Sequence, residues 1–202
     1  MIVQRIPVIL ASKSPRRVEL LKKLGVSFEV IKPNIAEKIQ KCSKSPQKIV
    51  ICLAKKKALS VVKKIKNIKK PRLIIGADTI VVAGNKIFGK PKNQKEAEKM
   101  LFSLIGTTHY VYTGVAIVKY PEMKIYTTYS RSKIIMRDDI SKKAIISLAR
   151  KHKDKAGSYA VQEKNDRLVK KVVGDYYTVV GLPIYKIERY FNRIRLLKNI
   201  KS

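Results

Sequence analysis

Val8-Ile9-Leu10-Ala11-Ser12-Lys13-Ser14-Pro15-Arg16-Arg17-Val18-Glu19-Leu20-Leu21 changes its hydrophobic period partway along. An apolar run of strand length gives way, across a hydroxyl-bearing turn, to apolar residues at helical spacing. Ser14 before Pro15 marks an N-cap and a first helical residue, which puts both arginines on the first turn. The macrodipole is already positive there and disfavours each arginine by about 0.3–1 kcal/mol unless an anion lies between them. Backbone N–H groups, the Ser12 and Ser14 hydroxyls and two guanidinium forks form a donor set suited to phosphate. Alone, such a basic pair would read as solvated surface. Residues further along the chain give it weight.

Working outward, residues 6–10 read as a buried strand, 15–24 as a helix and 27–31 as a second strand, a βαβ opening. Ser45-Pro46 starts a long helix that runs to about residue 68, before Pro71. Residues 73–82 form a long apolar strand closed by the turn signal Gly84-Asn85. The spacing predicts helices over 93–104, capped by Asn93, and over 141–150, with strands at 110–118 and 124–136 between them. Residues 168–180 read as a hairpin about Gly174-Asp175, and Gly181-Leu182-Pro183 leads into a terminal helix reaching about residue 197. The fold class expected is α/β, with a mixed, partly antiparallel sheet and flanking helices.

Composition bounds the partners. The chain has 202 residues, 45% of them hydrophobic, enough for one domain, 1–202, with a proper core. Lys+Arg of 46 against Asp+Glu of 14 gives a formal charge of +32, which attracts polyanions such as nucleotides, nucleic acid or an acidic membrane surface. The lysines run the whole length, and the absence of tryptophan argues against an extended nucleic-acid reader with stacking platforms, although ten tyrosines keep that class in play. Cys42 and Cys52, with His109 and His152 isolated, support neither a disulfide framework nor a zinc site. Residues 1–11 are too short and too interrupted by Arg5 and Pro7 for a signal peptide, and no run approaches a membrane span. The cytoplasm is the expected compartment.

Asp78 ends an apolar strand within Gly76-Ala77-Asp78-Thr79, against the hydrophobic pattern. A buried acid is paired, metal-bound or protonated, and capping of nearby backbone N–H groups is the plainer alternative. Phe88-Gly89-Lys90-Pro91 returns on a hairpin that brings Lys90 back toward Asp78 as a neutraliser of phosphate charge. Asp154-Lys155-Ala156-Gly157-Ser158-Tyr159 and Gln162 add an acid, a cation and an amide in a glycine-containing loop.

Together these segments resemble the Maf family of nucleoside triphosphate pyrophosphatases, house-cleaning enzymes of nucleotide metabolism. The resemblance rests on Ala11 to Arg17 followed by Glu19-Leu20-Leu21, on Gly76 to Thr79, and on Gly89-Lys90-Pro91. It continues through Gly106, His109, Thr113-Gly114-Val115, Asp154-Lys155-Ala156-Gly157 and Val180-Gly181-Leu182-Pro183. Each motif is weak alone; their order and spacing make the match specific.

The resemblance implies an elongated α/β structure with two lobes around a nucleotide-binding cleft, of the inosine triphosphate pyrophosphatase-like kind, and often a homodimer. It implies hydrolysis of a nucleoside triphosphate to monophosphate and pyrophosphate, dependent on Mg²⁺ or Mn²⁺. Asp78 falls on the family's general base, Arg17, Lys57 and Lys90 on phosphate positions, and Glu37 with Asp78 on the metal. Ser12 and Ser14 would help hold the phosphate chain, and Asp154 and Lys155 would complete the wall. The family branch that resembles dTTP/UTP pyrophosphatases carries Arg, Thr and Gln at its specificity positions, here Arg16, Thr79 and Gln162. A glutamine amide donates and accepts at once, which suits the carbonyl and imide N–H of uracil or thymine. Two segments depart from the family pattern: Arg150-Lys151-His152-Lys153, where an acid is usual, and Glu163-Lys164-Asn165-Asp166-Arg167, where glycines are usual. The competing class is a basic nucleic-acid-binding or regulatory protein on the same scaffold, with no membrane partner.

Overall fold

In a computed structural model that describes residues 2–35, 45–65, 70–152 and 155–199, the chain is a mixed α/β protein. The first strand, β1 (Ile2–Gln4), pairs antiparallel with the last, β9 (Leu197–Asn199). The remaining strands are β2 (Val8–Ala11), β3 (Phe28–Ile31), β4 (Arg72–Ala83), β5 (Lys86–Phe88), β6 (Thr108–Tyr120), β7 (Lys124–Met136) and β8 (Val169–Val173). They form a seven-stranded sheet in the order β3-β2-β4-β6-β7-β8, with β5 beside β4. The helices are α1 (Pro15–Lys22), α2 (Pro46–Lys64), α3 (Gln94–Leu104), α4 (Lys142–Lys151), α5 (Tyr176–Val180) and α6 (Ile184–Arg193).

The chain divides into two compact units. One comprises Met1–Asp78, Gly114–Tyr129 and Gly181–Ser202; the other comprises Thr79–Thr113 and Ser130–Val180. In the first, β2 runs parallel to both β3 and β4, as the βαβ reading requires. Its core gathers Ile9, Ala11, Ala58, Val61, Ile74 and Val118. Helix α2 lies hard against the strands at two glycines. A Cβ on Gly76 would stand 2.2 Å from the Ala54 carbonyl oxygen, and one on Gly114 would stand 2.4 Å from the Val50 carbonyl carbon. Side chains alternate along a strand, so Asp78 shares the α2-facing side of β4 with Gly76. The glycine thus lets the helix come close enough to meet the carboxylate.

In the second unit, Val81, Leu101, Leu104, Val111, Ile134, Ile145 and Leu168 form a separate core. Helices α3 and α4 are capped as their sequences predict: Asn93 accepts from Glu96 N–H at 2.9 Å, and Ser141 accepts from Ala144 N–H at 3.2 Å.

Three expectations are corrected. Residues 176–180 are the helix α5, not the second arm of a hairpin, because the Asp175 carboxylate caps it by accepting from Thr178 N–H at 2.7 Å. The terminal helix stops at Arg193; Arg195 takes a φ of 49° and turns the chain into β9. Cys52, on α2, is disulfide-bonded, which the cysteine count did not suggest.

Candidate active site

The β2–α1 turn forms as its residues dictate, although the Ser14 side chain makes no cap bond. Instead Ser14 donates its backbone N–H to Ser12 Oγ at 3.0 Å, which closes the turn around a buried serine. No acid stands in the first turn of α1, so Arg16 and Arg17 lie where the helix end is already positive. Arg17 Nε donates to the Gly181 carbonyl at 2.8 Å, which sets the plane of its guanidinium.

Asp78 follows from the parallel register. Ala11 pairs with Gly76, and two residues further on Asp78 comes level with Lys13 in the turn, at the carboxyl end of the parallel strands where α/β sheets bind ligands. Asp78 is 5% exposed and its Oδ1 accepts from Lys57 Nζ at 2.5 Å; Lys57 is also 5% exposed. Desolvating both charges costs several kcal/mol per ion, offset by their mutual attraction. Lys57 stands with Leu53, Ala54, Ala58 and Val61 on the buried side of α2, while Lys55, Lys56, Lys63 and Lys64 are exposed. Its helical position alone therefore marks it as different from the other lysines.

Among the described residues, no three His, Cys, Asp or Glu side chains gather as a metal cage. The Asp78 carboxylate is an oxygen donor of the kind Mg²⁺ takes, an ion that keeps water and substrate oxygens as most of its ligands. Glu37, the second expected metal ligand, and Asp154 lie outside the described residues.

The second unit holds the other expected residues. The β4–β5 hairpin forms with Val81 opposite Phe88, so its register, continued, sets Lys90 across from Thr79. Gly157 donates its N–H to the Gly89 carbonyl at 3.2 Å, joining the loop of Lys155 to the strand end of Lys90. Gly157 has a φ of 70°, and a Cβ there would press within 3.1 Å of Leu104 and Val81, so glycine is required twice over. Beyond it, Tyr159 meets buried His109 through a 2.8 Å hydrogen bond between its hydroxyl and Nε2. Burial pushes His109 down to about 4 and Tyr159 well up, so the pair is neutral near neutral pH.

Gln162 is exposed, on a turn after Ala160. The two segments that depart from the family pattern meet beside it. Lys151 donates to Glu163 Oε2 at 3.3 Å and to Asp166 Oδ1 at 2.9 Å, and His152 Nε2 bonds Asp166 Oδ2. Burial alone would push Asp166 up; the hydrogen bonds from Lys151 and His152 outweigh it and hold the carboxyl below its ordinary value.

Sequence reasoning gave no role to Thr113. Thr113 is fully buried, shares a 2.9 Å hydrogen bond with Thr79 Oγ1 and donates to the Thr178 carbonyl at 2.7 Å. The available signal was a hydroxyl within the apolar run from Val111 to Val118.

A family model described as Maf-like protein matches residues 7–194. A dTTP/UTP pyrophosphatase of Dictyoglomus thermophilum is 42% identical over 188 residues, covering 93% of this chain and 95% of the relative. Proteins of the same name are similar too. That of Caldanaerobacter subterraneus subsp. tengcongensis is 45% identical, covering 89% of this chain and 85% of its own. That of Thermoanaerobacter sp. strain X514 is 43% identical, covering 94% and 99%. Among solved structures, the Staphylococcus aureus Ham1 protein aligns over 93% of this chain and 99% of its own, at 12% identity and a TM-score of 0.45. The chain belongs to the Maf-like protein family.

Proposed function

We propose that this protein is a nucleoside triphosphate pyrophosphatase acting on dTTP and UTP. It hydrolyses the link between the α- and β-phosphates and releases the nucleoside monophosphate and pyrophosphate. The observation that carries the reading is the buried Lys57–Asp78 pair at the carboxyl end of the parallel strands. The names of the similar proteins supply the substrates.

The chemistry is positioning and charge neutralisation around a crowded phosphorus. Asp78 takes the proton of the attacking water as the new P–O bond forms and the bond to pyrophosphate breaks. Arg17, Lys57 and Lys90, with the Ser12 and Ser14 hydroxyls, neutralise and hold the phosphate oxygens, and Lys155 adds a further cation. Arg16, Thr79 and Gln162 select the base. A divalent cation, Mg²⁺ or Mn²⁺, held by Asp78 and Glu37, would supply charge neutralisation at the polyphosphate. The family match runs through both units, which supports one functional domain over 1–202. Cytoplasmic residence and a homodimer belong to the same reading and rest on the family resemblance. Among the described residues, no helix is long and apolar enough to cross a membrane.

Product analysis tests the reaction. The purified protein with Mg²⁺ or Mn²⁺ is expected to convert UTP and dTTP to UMP and dTMP with one pyrophosphate each. Release of orthophosphate with UDP, or no turnover by folded protein, would overturn it.

A further inference from the structure

Val180-Gly181-Leu182-Pro183 carries part of the family resemblance, yet nothing in the chemistry above uses it. It joins α5, which ends at Val180, to α6, which begins at Ile184. Gly181 is buried and takes a φ of 117°, a backbone conformation that a residue with a Cβ rarely adopts. The residues after it are anchored. Leu182 is fully buried, Pro183 is buried, and the Pro183 carbonyl accepts from Lys186 N–H at 3.0 Å in the first turn of α6. The peptide that follows Gly181 is thus held in place, and its carbonyl oxygen accepts from Arg17 Nε at 2.8 Å across 164 positions of sequence.

We infer that Gly181 is a positioning residue: its carbonyl holds the plane of the Arg17 guanidinium, so that Arg17 meets the phosphate chain as an aligned fork rather than as a loose charge. A guanidinium is flat, and a hydrogen bond from Nε to a fixed acceptor restrains rotation at the end of the side chain. With Nε given to Gly181, a phosphate meets Arg17 through its Nη groups, whose N–H bonds lie in that same plane. A carbonyl suits this task better than a carboxylate, because it holds the plane without cancelling the charge that phosphate needs. A Cβ at this φ would be strained, and relieving the strain would turn the peptide and its carbonyl away from Nε. The inference rests on the reading of Arg17 as a phosphate-binding residue.

The test is a double-variant cycle in the full-length protein, Gly181→Ala, Arg17→Lys and the two combined, read by UTP turnover and by inhibition with inorganic pyrophosphate. Arg17→Lys keeps the charge and loses the planar fork. Gly181→Ala alone is expected to lower kcat/KM for UTP by about tenfold and to weaken pyrophosphate inhibition by a similar factor. In the Arg17→Lys background it is expected to change neither, because no fork is left to align. Equal losses in both backgrounds would make Gly181 merely structural and overturn the inference. An unaffected Gly181→Ala beside an impaired Arg17→Lys also overturns it and leaves the reading of Arg17 standing. Wild-type behaviour of Arg17→Lys removes that reading and the inference with it. Should Gly181→Ala fail to fold, the Arg17 Nε–H magnetic resonance signal of wild-type protein with isotope-labelled arginine, assigned by its loss in Arg17→Lys, carries the test. It is expected to exchange with water more slowly than the signals of exposed arginines and to keep that protection when pyrophosphate binds. Exchange as fast as at an exposed arginine overturns the inference.

Discussion

The two units bury polar groups in different proportions of charged and neutral. The first hides a full charge pair, Lys57 and Asp78, against the close-packed face of α2. The second, besides the Asp166 carboxylate held by Lys151 and His152, hides neutral groups: the threonine chain from Thr79 to Thr178 and the His109–Tyr159 pair. A buried charge pair is costly to make and costlier to break singly, because the survivor keeps its desolvation penalty without compensation. A neutral chain stores less energy. The charge pair suits its proposed task, charge placement at phosphate.

The sharpest way to break this comparison is to remove one charge. Lys57→Met takes the ion-pair partner from the buried Asp78 carboxylate, and the unfolding free energy in a denaturant titration is expected to fall by about 3–5 kcal/mol. The double variant Lys57→Met/Asp78→Asn should recover much of it. Lys55→Met on the exposed side of the same helix should change stability by less than about 0.5 kcal/mol. Equal losses from Lys57 and Lys55 would mean that the pair carries no special charge burden.

A smaller effect comes from the second unit and depends on pH. His109 is held near 4 against an ordinary 6.5, so between those values the unfolded chain takes up a proton that the native chain refuses. Its contribution is complete above about 6.5 and is lost as pH falls toward 4, on the order of 3 kcal/mol in all. His109→Gln, which does not titrate, should show a correspondingly shallower loss of stability over that window. Parallel curves for the two proteins would contradict the neutral assignment. The least of the three effects is at the helix cap: Asp175→Ala should cost about 1 kcal/mol, read as a fall of roughly 2–4 °C in Tm.

Much of this arrangement was legible where the signal is local. Ser14-Pro15, Ser45-Pro46, Asn93 and Ser141 each opened a helix where the sequence said one should begin, and the apolar run into Asp78 became β4. Lys57 drew attention only through the family resemblance, yet its place on the buried stripe of α2 was readable from helical period. Tyr176 to Val180 misled because these residues favour strands, while the Asp175 carboxylate gives the same Gly-Asp turn a helical exit. The bonds of Thr113 were out of reach because its partners lie far off in sequence, at Thr79 and Thr178, and only the fold joins them. The pairing of Lys151 and His152 with Asp166 is nonlocal in the same way, and it turns two departures from the family pattern into one compensated cluster.

The central claim is that the buried carboxylate of Asp78 does the chemistry, and the direct measurement is turnover of UTP to UMP and pyrophosphate by Asp78→Asn. The substitution keeps shape and removes the base. The account predicts a fall in kcat of roughly 10²- to 10⁴-fold in a protein that remains folded by circular dichroism. Wild-type pyrophosphate release from folded Asp78→Asn would contradict it.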